Sequence, residues 1–359
     1  MRLGFHYHSP MRRAADGFLA TPGHLGVFLE ALAGSCDHLV CFQHSALPSE
    51  TALADYVIHA ENVTWVDLGP HYPIPRRTLT AGRATRQVAA WRDRLDALLI
   101  RGPSPLLSQV ADAAVGVPTA LLLVGDYVDS AHGLKRRRFR KKLILAWANW
   151  NRERQIGVAR RSLTLVNSSH LYDSLRSRVP VLYETRTTTL READFHSRVD
   201  SCATRPVRLL YTGRMDRSKG LRELVTALEI LVRRGVDAVL DFVGPVVPGD
   251  PIVDELLLEA DTRGLRGRVE YHGYRTVGPD LFAFYERADV YVIGSTTSEG
   301  FPRTVWEAMA HSLPVVATRV GSLPRFLEDG QSAVLVEPGS AVALADGIAA
   351  VVADGTPGR

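Results

Sequence analysis

Short apolar runs rich in Val, Ile and Leu alternate along this chain with longer segments whose apolar residues recur every third or fourth position. The short runs read as buried strands and the longer segments as amphipathic helices. In the first half, strands are expected at Leu3–His6, His38–Phe42, Asn62–Asp67, Ala97–Arg101, Thr119–Val124 and Leu163–Val166. Helices fill the intervals, including one near His24–Leu32 and one over roughly Leu134–Arg161. The pattern then restarts with strands at Val207–Tyr211, Val239–Val243, Val269–His272, Val290–Ile293, Val315–Thr318 and Ala333–Val336. Such alternation predicts parallel α/β layers. Between the halves, Thr185–Pro206 is polar, rich in Arg and Thr, and without sustained periodicity, as an interdomain linker would be. The expected domains are residues 1–195 and 196–359.

Bulk properties narrow the class. A chain of 359 residues exceeds one ordinary hydrophobic core, in agreement with two domains. With 46% hydrophobic and 23% charged residues it has the composition of a globular protein. A net charge of +4 is too small for a nucleic-acid coat, and no recognition motif accompanies the one basic run. Cys36, Cys41 and Cys202 are too few and too scattered for a disulfide framework or a zinc site, which points to a reducing compartment. The N-terminus runs straight into a strand, without a signal peptide, and no apolar run reaches membrane-spanning length. The expected location is therefore the cytoplasm.

The densest chemistry lies in Ser298-Glu299-Gly300-Phe301-Pro302-Arg303-Thr304-Val305-Trp306-Glu307-Ala308-Met309-Ala310. It follows the strand Val290–Ile293, and small residues lead into a helix that Pro302 suits as first residue. The first-turn N–H groups near Arg303 and Thr304, with the positive end of the helix dipole, favour an anion. Glu299 in the loop and Glu307 in the helix accept hydrogen bonds only, so they suit hydroxyl-rich partners. An anion seat flanked by two hydroxyl readers describes a sugar nucleotide. The competing reading is an amphipathic helix with two solvated glutamates.

This segment resembles the E-x7-E signature of retaining glycosyltransferases with the GT-B fold, most closely glycosyltransferase family 4, the glycosyl transferases group 1. The resemblance implies two Rossmann-like domains facing a central cleft, the first binding the acceptor and the second the nucleotide-sugar donor. It also implies that Glu299 binds hydroxyls of the donor sugar, that Gly300, Phe301, Pro302, Arg303 and Thr304 line the donor site, and that Glu307 holds the ribose. Family members usually continue beyond the point where this sequence stops with a helix crossing back to the first domain; here a helix over Ala341–Val352 is followed by Arg359.

A second diphosphate clamp is expected in Tyr211-Thr212-Gly213-Arg214-Met215-Asp216-Arg217-Ser218-Lys219-Gly220-Leu221. Gly213 permits a sharp turn, Arg214 offers a planar fork for phosphate oxygens, and Lys219 a mobile point charge. Lys219 is the one lysine of the second half in a chain that otherwise uses Arg. The segment is similar to the family's G-R-x(4)-K-G signature, whose Arg and Lys grip the donor phosphates. Gly244 at a strand end could let a nucleotide approach the backbone or could simply turn the chain. Tyr274 and Arg275 stand where related proteins place the nucleobase.

The acceptor half carries weaker signals. His6, Tyr7 and His8 are expected to leave the first strand into a loop, with His6 or His8 serving the acceptor. By resemblance Gly23, with Gly26 as the second choice, lets a helix N-terminus approach the donor diphosphate. Asp126 after the strand Thr119–Val124 falls where the family carries an Asp or His pointing at the acceptor and the transferred sugar; a turn or helix-cap aspartate is the alternative. Leu134–Trp150 is strongly basic, with Phe139, Leu143, Trp147 and Trp150 at helical spacing. Such a helix packs on a core with a solvated basic rim, lies peripherally on an anionic membrane, or grips an anionic acceptor.

The resulting expectation is sugar transfer from a nucleoside diphosphate to an acceptor hydroxyl by front-face displacement. Asp126, Arg214, Lys219 and Glu299 form the catalytic set. No cofactor is expected, and the lack of a D-x-D motif argues against an essential metal. Competing readings are a sugar-nucleotide epimerase of the same fold, a non-catalytic nucleotide-sugar binder and, more remotely, a pyridoxal-phosphate phosphorylase.

Overall fold

The computed structural model describes every residue except 133–137, 186–187, 189, 199–201, 248, 298–301 and 355–359. Two compact units divide the chain, Met1–Thr187 and Thr188–Arg359. The division falls inside the polar Thr185–Pro206 stretch, ahead of the 195/196 boundary expected from sequence.

The first unit contains β1 (Arg2–Arg13), β2 (Leu19–Thr21), β3 (His38–Ser45), β4 (Tyr56–Ile58), β5 (Val63–Pro70), β6 (Ala97–Gly102), β7 (Thr119–Leu123), β8 (Leu163–Val166) and β9 (Leu182–Glu184). Seven of these form a parallel array ordered β5-β3-β1-β6-β7-β8-β9. Alternate residues point to opposite faces. Phe5, Leu39 and Cys41 pack with Leu25 and Leu29 of the helix Gly23–Gly34, while Val40, Phe42, Leu98 and Ile100 pack with Leu107 and Val110 on the other side.

β1 corrects one expectation. His6, Tyr7 and His8 lie within a strand that continues to Arg13, not in a loop. The apolar pattern stops at these polar residues, but backbone pairing does not. An irregularity between His6 and Pro10 re-aims the strand, whose far end pairs antiparallel with β2.

The helix Arg138–Ala159 also differs from its expected form. Trp147 packs on Tyr127 with ring centroids 5.2 Å apart, and Ala148 is buried, but Leu143 and Trp150 are exposed. The buried face is set by the neighbouring helix Tyr127–His132 and continues through Asn151, Gln155 and Ile156. Residues 134–137 of the basic run lie outside the described residues. Among the described residues no helix is long and apolar enough to cross a membrane.

The second unit contains β10 (Val207–Thr212), β11 (Ala238–Val243), β12 (Val269–Tyr271), β13 (Val290–Ile293), β14 (Val315–Thr318) and β15 (Val334–Val336). All pair parallel, in the order β12-β11-β10-β13-β14-β15. Helix Leu221–Arg233 covers one face, burying Leu221, Leu224, Val225, Leu228 and Leu231 at helical spacing. Each such side chain contributes about 1.5–3 kcal/mol of burial free energy. Helices Pro279–Arg287 and Arg303–Ala310 cover the other face. Strand order reverses between β10 and β13. In sheets of this kind the crevice beyond the carboxyl ends of the strands flanking that reversal is where ligands sit.

Candidate functional site

Two loops leave the sheet at the reversal. After β10, the ladder to β11 continues as Gly213 N–H donates to the Val243 carbonyl (2.9 Å) and Met215 N–H to that of Pro245 (2.9 Å). Tyr211 Oη steadies the turn by donating to the Arg214 carbonyl at 2.9 Å. Asp216 then caps a short 3-10 turn, its Oδ1 accepting from Ser218 N (2.8 Å) and Ser218 Oγ (2.6 Å). These bonds from Ser218, followed by the charges of Arg214 and Lys219, hold the Asp216 carboxyl below its ordinary value. Asp216 thus sits among the positive charges of the loop as their fixed counter-charge.

The cations of this segment divide by environment. Arg217 is occupied by Asp250 (3.1 Å) and Glu255 (2.9 Å). Arg214 is exposed and Lys219 partly so. Immediately after Lys219, Gly220 adopts φ +67, and a Cβ there would lie 1.8 Å from the Gly294 carbonyl oxygen. Only glycine allows this backbone crossing. The β13 loop is tied on further as Thr296 N–H donates to the Ser218 carbonyl at 2.9 Å. Lys219 is therefore held against the segment that leads to Pro302.

Helix Arg303–Ala310 begins one residue later than expected. Pro302 has ψ 126 and is the N-cap, not the first helical residue. Extended ψ keeps it outside the helix, and the first-turn N–H groups still lack intrahelical acceptors. Glu299, Gly300 and Phe301 lie outside the described residues. Glu307 is buried, and its Oε2 accepts from Tyr285 Oη at 2.7 Å. Tyr285 Oη also meets Thr212 Oγ1 at 2.6 Å. Tyr291 Oη lies 2.6 Å from Thr304 Oγ1 and donates to the Thr212 carbonyl at 3.2 Å. Two buried tyrosines thus join the end of β10 to the helix. Burial, then the Glu307 charge, pushes the Tyr285 phenol well up, so it stays protonated and donates. Neither tyrosine was singled out from sequence, where each reads only as an apolar-run or amphipathic-helix residue.

The other expected donor residues have plainer surroundings. Gly244 has φ +147, and a Cβ would meet the Gly213 carbonyl oxygen at 1.8 Å, so its smallness serves backbone packing. Tyr274 is exposed, and Arg275 stands over the Phe284 ring. Gly23 opens helix Gly23–Gly34, but its N–H already donates to Asp55 Oδ1 at 3.0 Å. Gly26 abuts the Tyr56 ring, which a Cβ would strike.

In the first unit, His6 is fully buried with both ring nitrogens engaged. Nδ1 faces the Phe42 carbonyl at 2.8 Å and must carry the proton, so Nε2 accepts from Ser104 Oγ at 3.0 Å. Burial drives its pKa down to about 4. This places His6 as a structural residue and corrects its expected acceptor contact. Asp126 accepts from Val128 N at 2.7 Å and pairs with Arg152 at 3.0 Å, the helix-cap alternative. His8 is half-buried and lies beside Arg77, which donates to the His8 carbonyl at 3.2 Å. Arg77, His44 and His71 were missed from sequence, since a basic residue in a short helix and scattered histidines carry no motif.

Residues 206–354 match the family described as Glycosyl transferases group 1. The chain is 34% identical over 148 residues to a D-inositol 3-phosphate glycosyltransferase of Arthrobacter sp. (strain FB24), covering 41% of this chain and 34% of that protein. It is 29% identical over 153 residues to glycogen synthase of Mycobacterium tuberculosis, covering 42% and 35%. The chain therefore spans about a third of the length of the curated relatives it matches. Among solved structures, Anabaena HepE in complex with UDP and glucose superposes with a TM-score of 0.71 at 18% identity, over 100% of this chain and 92% of that one. Sucrose-phosphate synthase from Thermosynechococcus elongatus gives 0.71 at 18%, over 100% and 91%. Residues 206–354 thus match the Glycosyl transferases group 1 family, and the chain as a whole has the GT-B fold of these structures.

Proposed function

We propose that this protein is a retaining glycosyltransferase of the family 4 type, moving a sugar from a nucleoside diphosphate to a hydroxyl acceptor. The observation that carries the reading is the packing of the Arg214–Lys219 turn against the β13 loop through the Gly220–Gly294 crossing, at the strand-order reversal of a group 1 domain. Arg214 and Lys219 supply positive charge where the leaving diphosphate gains negative charge, which lowers the barrier electrostatically. The N-terminus of helix Arg303–Ala310 adds its dipole. Glu307, steadied by Tyr285, holds the ribose hydroxyls, and Glu299 the donor sugar. The departing phosphate takes the acceptor proton, so front-face displacement needs no protein nucleophile. Asp126, paired with Arg152, orients the acceptor loop.

A uridine nucleotide is the first donor to test, because complexes of the fold neighbour HepE hold UDP and UDP-glucose. Incubation with UDP-, GDP-, ADP- and TDP-sugars, read by mass spectrometry for released nucleotide, tests the reading. Slow donor hydrolysis that Lys219→Ala abolishes supports it. Failure of every sugar nucleotide to bind sinks it. Isomerised sugar without transfer favours the epimerase alternative, and binding without turnover favours the non-catalytic one.

A further inference from the structure

The first unit contains a set of buried polar atoms that the protein does not itself satisfy. Among the described residues, His8 Nδ1, His44 Nε2, His71 Nε2, Arg77 Nε and Tyr127 Oη are buried and have no hydrogen-bond partner. They belong together. Arg77 donates to the His8 carbonyl, the His8 and Tyr127 rings lie 6.5 Å apart, and the His44 and His71 rings 5.9 Å apart. Arg77 acts electrostatically on His8, His44 and Tyr127. Arg77 is 5% exposed, and Glu50, the carboxylate whose charge acts on it, is already bonded to His71 Nδ1 (2.7 Å) and Leu47 N (3.0 Å). A buried cation without its own carboxylate is expensive to maintain, and so are orphaned polar atoms. Groups of this kind call for a partner from outside the chain, whether water, ion or ligand.

The chemistry of the open atoms says what that ligand is. His44 Nδ1 faces the Gly69 carbonyl at 3.0 Å and His71 Nδ1 faces the Glu50 carboxylate, so both Nδ1 atoms carry the proton. The His44 Nε2 atom therefore presents a lone pair. Burial, with the charge of Arg77, holds His8 and His44 near pKa 3, and both are neutral at pH 7. Arg77 Nε and Tyr127 Oη donate, from the helices Ile74–Leu79 and Tyr127–His132. One fixed positive charge with donors from separate elements suits a tetrahedral oxyanion. The neighbouring lone pair suits a hydroxyl group.

We propose that Arg77, His8, His44, His71 and Tyr127 form the seat of a hydroxylated phosphate monoester, the anionic part of the acceptor. As an acceptor seat it rests on the glycosyl-transfer reading above; as an anion site it stands without it. The test is calorimetric titration of the full chain with glucose 6-phosphate, inorganic phosphate and glucose. Glucose 6-phosphate is expected to bind at least tenfold more tightly than glucose, with inorganic phosphate between them. Arg77→Gln is expected to cost tenfold or more, and Tyr127→Phe several-fold. Binding is expected to shift the imidazole nitrogen resonances of His8 and His44 but not of His6, whose nitrogens are closed. Phosphatidic acid vesicles run in parallel separate a lipid headgroup from a soluble ester, and binding of either supports the seat. Equal affinity for glucose and glucose 6-phosphate, or unchanged binding in Tyr127→Phe together with silent His8 and His44 resonances, overturns it even if Arg77→Gln fails to fold. UDP binding by the same samples keeps the two readings apart: UDP bound without phosphate ester removes the seat and leaves the donor site, and the converse removes the donor site alone.

Discussion

Tyr285→Phe isolates the connection between the two loops of the Thr188–Arg359 unit. The substitution keeps the ring, which is fully buried between Tyr291 and His311, and deletes only the hydroxyl. That hydroxyl donates to Glu307 Oε2 at 2.7 Å and meets Thr212 Oγ1 at 2.6 Å. A bond to a charged group is worth about 1.5–3 kcal/mol and a neutral one about 0.5–1.5 kcal/mol. Both are buried, so no solvent replaces the lost partner, and the expected destabilisation is about 2–4 kcal/mol. For a unit of this size each kcal/mol moves the midpoint by about 2–4 °C. Differential scanning calorimetry should therefore show the transition of the Thr188–Arg359 unit falling by roughly 5–15 °C while that of the other unit stays in place. Because Glu307 loses the donor that orients it, UDP affinity should fall several-fold at temperatures where the unit remains folded. A midpoint shift below about 2 °C with unchanged UDP affinity refutes the assignment of this network as the support of Glu307.

Three further outcomes follow from the same geometry. Lys219→Ala is expected to lower turnover about 10²–10³-fold, the scale of one lost charge-stabilising group, whereas Arg217→Ala, whose side chain is closed by Asp250 and Glu255, should leave it within two-fold by about the surface-residue norm; equal losses measured by nucleotide release would refute the division of cations. Gly220→Ala combines positive φ with a clash against the Gly294 carbonyl, while Gly235→Ala at φ +85 meets open space and bears only the roughly 1–2 kcal/mol left-handed strain, so urea melts should show the first to be clearly the worse. The first unit should lose stability in acid: His6, His8 and His44 have folded pKa values of about 4, 3 and 3, below the ordinary value, so the unfolded chain binds more protons once the pH drops below about 6.5. Full stability above that pH should decline by up to about 1.4 kcal/mol per pH unit for each histidine as the pH falls toward 4, and chemical denaturation across pH 7 to 4.5 that shows no slope would remove the assignment of neutral buried rings.

Legibility from sequence followed what each feature depends on. Every expected strand is present, and those buried on both faces read as continuous apolar runs, as Val290–Ile293 does. The strands that escaped notice, β2, β4 and β9, are three residues long, too short to show a periodic pattern of their own. The same contrast separates the two candidate sites. Arg214, Lys219 and Glu307 sit in local motifs, where spacing along a loop or helix carries the chemistry. Tyr285 and Tyr291 could not be found that way: a hydroxyl at the end of an apolar ring acquires a role only when folding sets it against Thr212, Thr304 or Glu307. His6 shows the converse, because a histidine at a strand end looks catalytic until the fold closes both its nitrogens. Arg77 combines these lessons. Nothing adjacent in sequence marks it, yet it is a guanidinium taken out of water among atoms that still lack partners, a situation only tertiary structure creates. The proposed donor site is thus written in contiguous segments, whereas the proposed acceptor seat is assembled from single residues on β1, β3, the end of β5 and two short helices. A test of the proposed acceptor should begin from that assembled charge and its hydroxyl-accepting neighbours, because no linear pattern records them.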